Sequence, residues 1–367
     1  MYNMIFHVPY FVDKNRKSGS HIRPFKMIEG FKNIGYNVDI IMGYGKERKR
    51  SIDSIKEQIS QGKKYDFCYS ESSTMPTLLT ESHHYPTYPR LDFSFMGFLK
   101  KHNIPIGLFY RDCYWLFNDN RKELSSFKLK VSDYFYRYDL RKYPELIDIF
   151  YLPTTLMMNY LPMEFDKPIA SLPPGAEISS EKTVSIPDNH EKEIRLFYVG
   201  GLSEVYNMEL MFEAVNELDY LKLTVCTREE EWAQHQGRYL PFMNDRICII
   251  HKSGEEFRED IEDAHISLIY FEPIEYRKFA MPVKLFEYMS YKKPILSVNQ
   301  TAVGQFVTEN GIGWEVPYDK KELIAFFENL RKNHSDIDDK VAHMDQAIQR
   351  NTWEARCRQV AEDLTRR

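Results

Sequence analysis

The stretch FAMPVKLFEYMSYKKP, residues 279–294, decides how this chain is read. A polar loop runs into Pro282, an amphipathic octet follows, and a turn leads into the apolar run PILSV at 294–298. Proline suits the first turn of a helix, where its missing N–H would find no partner in any case. Ahead of the loop stands another apolar run, ISLIYF at 266–271. The order is therefore strand, loop, helix, strand, which is the unit of a parallel sheet. Within the helix, Lys284, Glu287 and Tyr291 share one face, and Leu285, Phe286 and Met289 cover the other.

The same alternation extends in both directions. Toward the C-terminal half the strand-like runs are IRLFYV (194–199), LKLTVC (221–226), RICII (246–250), ISLIYF and PILSV, with helical stretches such as NMELMFEAVNEL (207–218) between them. An earlier series reads NMIFHV (3–8), VDIIMG (38–43), FCYS (67–70), IPIGLFY (104–110), DIFYLP (148–153) and PIASLP (168–173). Its clearest helix patterns lie at 21–34, 48–60 and 91–101. Short continuous apolar strands separated by helices indicate sheets covered on both faces. Between the series, PPGAEISSEKTVSIPDNHEKE (173–193) is rich in proline, serine and charge and reads as a linker. The expected organisation is a first Rossmann-like domain over 1–175, a linker over 176–193, a second domain over 194–350 and a closing helix over 351–367. Thr352 is the expected N-cap of that helix, with Trp353 and Val360 on its apolar side.

The bulk numbers agree with an α/β protein of two doubly wound domains. A length of 367 residues exceeds one ordinary core, and 43% apolar residues is a globular share. A net charge of −5 gives no global attraction to nucleic acid, so no nucleic-acid partner is expected. The five cysteines are scattered, with no C-x-x-C pair, which points to a reduced, cytoplasmic setting. No apolar run reaches the roughly 20 residues of a membrane span, and MYNMIFHVPYF lacks the basic start and cleavage site of a signal peptide.

Two such domains facing each other form a cleft, and ligands bind beyond the carboxyl ends of the strands. The loops there carry the candidate residues. In FYVGGLSEVYNMELMF a strand ends at Val199 and Gly200-Gly201 follow. Glycines let backbone N–H groups approach a phosphate closely, although a bare tight turn explains them equally well. The loop FEPIEYRKFAMP presents Tyr276, Arg277 and Lys278, then Pro282. A helix N-terminus with Lys284 on its first turn suits a diphosphate. Glu287, one turn deeper, can accept from two adjacent ribose hydroxyls. A solvated Lys–Glu pair worth about 0.2–0.5 kcal/mol is the plainer alternative.

The order YVGG, strand, PVKLFEYMSYKKPIL, NGIGWEV resembles the donor domain of GT-B glycosyltransferases, especially the large retaining family 4 (glycosyl transferases group 1). That family has a P-x-K-x-x-E-Y block before a G-K-P strand entry. LPPGAEI (172–178) looks like its hinge, and NTWEARCRQVAEDL like its closing helix. The resemblance implies a GT-B fold and a hexosyltransferase that needs no metal or other cofactor. Lys284 would contact the donor diphosphate and Glu287 the nucleotide ribose. Two places depart from the pattern. The family's E-x7-E pair needs a Glu eight residues before Glu287, where this chain has Phe279. The usual Arg and Lys after the glycine turn are also absent. The phosphate grip is then redistributed to Arg228, Arg277 or Lys278, and the retention the family implies is set against inversion.

In the first domain, SGSHIR opens a helix where family members carry a glycine-rich loop facing sugar and acceptor. Ser18, Gly19, Ser20 and Arg23 are the acceptor candidates there, and an ordinary N-cap by Ser20 is the alternative. Beyond the third strand come Glu71, Ser72, Ser73 and Thr74, with His83 and His84 further on. So many polar groups at a strand's carboxyl end suggest function, with Glu71 catalytic and Ser73 toward the acceptor. No third ligand stands at a convincing spacing from the histidines, so no metal site is expected. After the fourth strand, Arg111 and Asp112 stand where retaining members often have His-Asp. Asp112 is the candidate general base and Arg111 an acceptor contact, unless the two form a structural ion pair. RKELSSFKLKVSDYFYRYDLRKY (121–143) interleaves cations with aromatics, as an interfacial surface does, or as a plain helix with an aromatic core face does.

Competing patterns are weaker. IIMGYGKER lacks the third glycine of a dinucleotide fingerprint, having Arg48 there. The one late D-x-D, Asp336-Ile337-Asp338, follows Ser335 at an expected helix start, where capping accounts for it. The expectation is a transferase moving a sugar from a nucleotide-diphosphate donor, UDP ahead of GDP, to a hydroxyl of a glycan or lipid-linked glycan in bacterial surface polysaccharide synthesis. It would work in the cytoplasm at the inner face of the membrane. A sugar-nucleotide 2-epimerase of the same fold and a non-catalytic nucleotide-binding subunit are the alternatives.

Overall fold

The computed structural model describes residues 2–16, 18–117, 125–178 and 193–366. Most of the expected linker and the start of the 121–143 stretch lie outside the described residues. The chain divides into two compact units, Met1–Gly175 with Trp353–Arg367, and Ala176–Thr352.

The first unit holds six parallel strands: β1 (Tyr2–His7), β2 (Tyr36–Ile41), β3 (Phe67–Glu71), β4 (Ile106–Phe109), β5 (Ile149–Leu152) and β6 (Ile169–Ser171). Their order across the sheet is β2-β1-β3-β4-β5-β6. Every residue of β3, β4 and β5 is buried, which is why those runs are continuous rather than alternating. The register Met4↔Phe67 and Cys68↔Ile106 aligns the carboxyl ends of β1, β3 and β4, so the loops after His7, Glu71 and Phe109 emerge side by side.

The closing helix Trp353–Thr365 packs on this unit. It starts directly after Thr352 and buries Trp353, Cys357, Val360, Ala361 and Leu364. Its neighbour is the helix Gly19–Asn33, and the approach is close: a Cβ on Gly30 would lie 2.8 Å from Cys357 Sγ. Each large apolar side chain buried here contributes about 1.5–3 kcal/mol.

The second unit holds β7 (Ile194–Val199), β8 (Leu221–Cys226), β9 (Ile247–Ile250), β10 (Ile266–Ile269), β11 (Ile295–Val298) and β12 (Gly313–Val316). All pairs are parallel and the order is β12-β11-β10-β7-β8-β9. Winding reverses at β7 and β10, the switch point beside which such sheets bind ligands. The two strands adjoin, so the glycine turn after β7 and the loop after β10 lie next to each other.

The structure differs from the sequence reading in four local details. β12 was not among the expected strands; GWEV is a half-polar edge strand, and Gly313 is needed because a Cβ there would meet Ile295 O at 2.0 Å. Pro282 is the N-cap of the helix Val283–Ser290, extended at φ −74 and ψ 148, one position before the first turn. Tyr291 ends that helix buried, its ring 6.5 Å from Phe257, rather than on the polar face. Ser335 does not cap the late D-x-D helix; it is the helix's first residue, with His334 before it.

Candidate functional site

β7 ends at Val199, whose N–H donates to the phenol oxygen of Tyr288 at 3.0 Å. That bond pins the strand end to the helix Val283–Ser290. The chain then turns through Gly200 at φ 151, a conformation L side chains rarely adopt. Tyr198 OH donates to Gly201 O at 2.7 Å and closes the turn.

Lys284 lies on this turn rather than in solvent. Its Nζ donates to Tyr198 OH at 3.2 Å, and a Cβ on Gly200 would sit 2.4 Å from it. Three rings surround the ammonium, with centroids at 4.5 Å (Tyr198), 5.1 Å (Tyr206) and 5.6 Å (Phe271). Such rings hold a cation but do not neutralise it. Burial, assisted by the positive charge of Arg277, lowers the Lys284 pKa to about 7, against the pull of Glu287 and Glu231.

Arg277, on the short turn Glu275–Lys278, shares two of those rings: its guanidinium is 4.8 Å from Phe271 and 5.5 Å from Tyr206. It also donates to Glu272 O and Val205 O, tying the loop after β10 to the loop after β7. Two cations thus converge on one aromatic cluster beside the glycine turn. Tyr276 packs edge-on against Phe279 at 5.1 Å, and Phe279 is buried. The position eight residues before Glu287, where the resemblance calls for a Glu, is therefore an apolar core position here. Lys278 is paired with Glu275 at 2.5 Å and Glu287 is half-buried one turn beyond Lys284. Arg228 is exposed and bridges to Glu231 at 2.9 Å.

Glu231 is a member of the site that sequence reasoning missed. A Cβ on Gly201 would meet its Oε2 at 3.1 Å, and Thr227 Oγ1 donates to the same oxygen at 3.4 Å. Its only sequence signal was a position five residues past the end of β8.

In the first unit Glu71 is fully buried at 0% exposure, and both of its oxygens are taken. Arg23 Nε donates to Oε1 at 3.0 Å, Tyr69 OH to Oε1 at 2.9 Å and Arg111 Nη2 to Oε2 at 2.9 Å. The expectation that Glu71 is catalytic is corrected: with no exposure and both oxygens engaged, its carboxylate braces the loops. Arg23 is corrected likewise, being buried with its guanidinium 3.7 Å over the Phe109 ring instead of facing an acceptor. Arg111 pairs with Glu71, not with Asp112, and also donates to Tyr10 OH, Ser72 O and Gly19 O. The N-cap of the helix is Ser18, not Ser20, and Ser18 Oγ lies 3.1 Å from Ser20 Oγ. Ser73 Oγ accepts from Met75 N at 3.1 Å.

Asp112, left by Arg111, accepts from Tyr114 N at 3.2 Å. Burial raises its pKa to about 6, with that hydrogen bond and Arg111 acting the other way. A carboxylate of this strength is well matched to proton transfer near neutral pH.

A second buried network also escaped the sequence. Ser70 Oγ and His7 Nδ1 are 2.8 Å apart, His7 Nε2 and Asp92 Oδ1 are 3.0 Å apart, and Arg48 donates to both Asp92 oxygens. The chain of contacts resembles a nucleophile relay, but Ser70, His7 and Asp92 are all sealed from water. It clamps β1 and β3 to two helices. Among the described residues no group of three or more His, Cys, Asp or Glu is placed to hold a metal. None of the described helices is long and apolar enough to cross a membrane.

No protein-family model and no curated protein matches the chain by sequence. Solved structures do match in fold. Sucrose-phosphate synthase from Thermosynechococcus elongatus aligns over 98% of both chains at TM-score 0.62 and 12% identity. HepE from Anabaena, solved in complex with UDP and glucose, aligns over 100% of both at TM-score 0.61 and 10% identity. A glycosyltransferase from Rickettsia africae aligns over 100% of this chain and 99% of that one at TM-score 0.60 and 12% identity. Two six-stranded parallel sheets in these orders, matched end to end by such structures, give this chain the α/β fold of the GT-B glycosyltransferases.

Proposed function

We propose that the protein is a glycosyltransferase taking its sugar from a nucleotide-diphosphate donor, UDP ahead of GDP. The observation that carries this is the ammonium of Lys284 seated on the Gly200-Gly201 turn, with Arg277 on the same rings. Anion binding there relieves the repulsion of two partly desolvated cations. The fold is shared with HepE, whose structure holds UDP and glucose.

In the reaction, an acceptor hydroxyl oxygen bonds to the anomeric carbon, and the bond from that carbon to the β-phosphate oxygen breaks. The electron pair leaves with the diphosphate, whose growing charge is met by Lys284, Arg277 and the N–H groups of the turn. Glu287 receives the ribose hydroxyls. Pro282 sets where the helix of Lys284 begins, Tyr276 supports the Arg277 turn, and Arg228 lies at its rim. Asp112 accepts the hydroxyl proton, and Ser18, Gly19, Ser20, Ser73 and Arg111 border the acceptor. The charge compensation on the leaving group needs no metal. Retention follows the family resemblance; Phe279 in place of the sugar-contacting Glu makes inversion its rival, decided by the anomeric configuration of the product.

The acceptor we propose is a glycan or lipid-linked glycan of bacterial surface polysaccharide synthesis, met at the cytoplasmic face of the membrane. The helix Ser126–Leu146 supports this, exposing Phe127 (76%) and Tyr134 (58%) among Lys128, Lys130, Arg137 and Arg141. Aromatic rings flanked by cations suit an anionic headgroup layer.

The test is release of UDP from UDP-sugars with and without lipid-linked glycan acceptors. Release that requires an acceptor, and that Lys284→Ala abolishes without lowering the melting temperature, is the expected result. Release without acceptor would identify an epimerase or hydrolase instead.

A further inference from the structure

An acidic side chain, Glu231, also stands at the glycine turn. Glu231 places a carboxylate oxygen 3.1 Å from the Cβ position of Gly201, while Lys284 Nζ lies 2.4 Å from that of the adjoining Gly200. A negative charge and a positive charge thus occupy consecutive positions of the turn that the diphosphate has to reach. Glu231 is held there from two sides, by Arg228 Nη1 at 2.9 Å and by the hydroxyl of the buried Thr227 at 3.4 Å. Thr227 is itself fixed, its N–H donating to Ile250 O and its carbonyl lying 2.8 Å from His251 Nδ1.

We propose that Glu231 is the resident counter-ion of the phosphate-binding turn, displaced when the donor's diphosphate arrives. This rests on the donor site assigned above. Two anions crowd one another at a single half-buried turn, because like charges at contact distance repel. In the free protein Glu231 offsets Lys284 and Arg228. On binding, the phosphates take over Lys284, and Arg228 is released from Glu231 to face them. Glu231 is 28% exposed and Arg228 is 72% exposed, so both have room to turn outward. The exchange makes each binding event weaker than the cations alone would give, and it favours release of the nucleotide product. Glu231 also lies in the first turn of the helix Glu229–His235, where an acid stabilises the helix end. That role acts on stability and is blind to whether a nucleoside carries phosphates.

The experiment is calorimetric titration of UDP and of uridine into the wild-type protein, Glu231→Gln, Glu231→Ala and Lys284→Ala. The expected result is UDP affinity raised about tenfold in both Glu231 variants, about 1.4 kcal/mol, with uridine affinity unchanged. Wild-type protein that binds UDP in a Lys284-dependent way, alongside Glu231 variants that bind it equally or more weakly, would overturn the exchange and leave the donor site standing. Wild-type protein that does not bind UDP, or whose binding ignores Lys284→Ala, would remove the donor site and the exchange together.

Discussion

Lys284 carries a charge that its surroundings hold at a disadvantage, and Asp112 carries the opposite case. With pKa values of about 7 and about 6, the active forms overlap only where Asp112 has lost its proton and Lys284 has kept one. We therefore expect kcat/KM to peak between about pH 6 and 7 and to fall on both sides. Lys284→Arg keeps the charge at any working pH, so it removes the alkaline limb while leaving the acid one. A pH–rate profile of both proteins checks this. Asp112 also bears on stability. Its folded pKa lies above the unfolded value near 3.9, so between about pH 4 and 6 the native state binds more protons than the unfolded one. Stability from this group is present below that window and lost as pH rises through it. Asp112→Asn should thus stabilise the protein at pH 7 by on the order of 1 kcal/mol while lowering kcat far more than donor affinity. A melting curve and a kinetic run read the two effects. The polar face of Lys284 and Glu287 was legible in their spacing alone. The saturation of Glu71 was not, since its partners Arg23 and Arg111 stand 48 and 40 residues away.

The glycine turn is the element on which the proposed donor site is built. Gly200 is required twice, by its φ of 151 and by Lys284 Nζ at 2.4 Å from any Cβ. Gly200→Ala should destabilise the second unit by about 1–3 kcal/mol and weaken UDP binding at least tenfold, because the lysine has to move. Denaturant melts and calorimetry measure both, and an unaffected UDP affinity would separate the turn from the nucleotide. The strand–glycine–helix pattern after Val199 was visible in the sequence, because apolar runs and glycines are local signals. What Tyr198 and Tyr288 do for the turn was not. Each reads as a core aromatic in its own element, yet their hydroxyls fasten Gly201 O and Val199 N. β12 went unnoticed for a related reason: an edge strand needs few apolar residues, and GWEV has a buried side on only half its positions.

Across the whole molecule, two doubly wound sheets were readable because buried parallel strands write themselves as short apolar runs between helices. The winding order was not readable, because pairing such as β7 with β10 joins segments far apart in sequence. The closing helix returns the chain to the first unit at Trp353, so both ends of the sequence belong to one compact body. Asp112 belongs to the first unit, and Lys284, Glu287 and the glycine turn belong to the second. Whether the second unit holds the donor's diphosphate at Lys284 is tested by a crystal structure of the protein soaked with UDP. Phosphate oxygens are expected about 2.7–3.2 Å from Lys284 Nζ and from the N–H groups of the Gly200-Gly201 turn, with Glu231 turned away. UDP bound elsewhere, or bound with Lys284 still resting on Tyr198 and no phosphate beside it, would contradict this expectation.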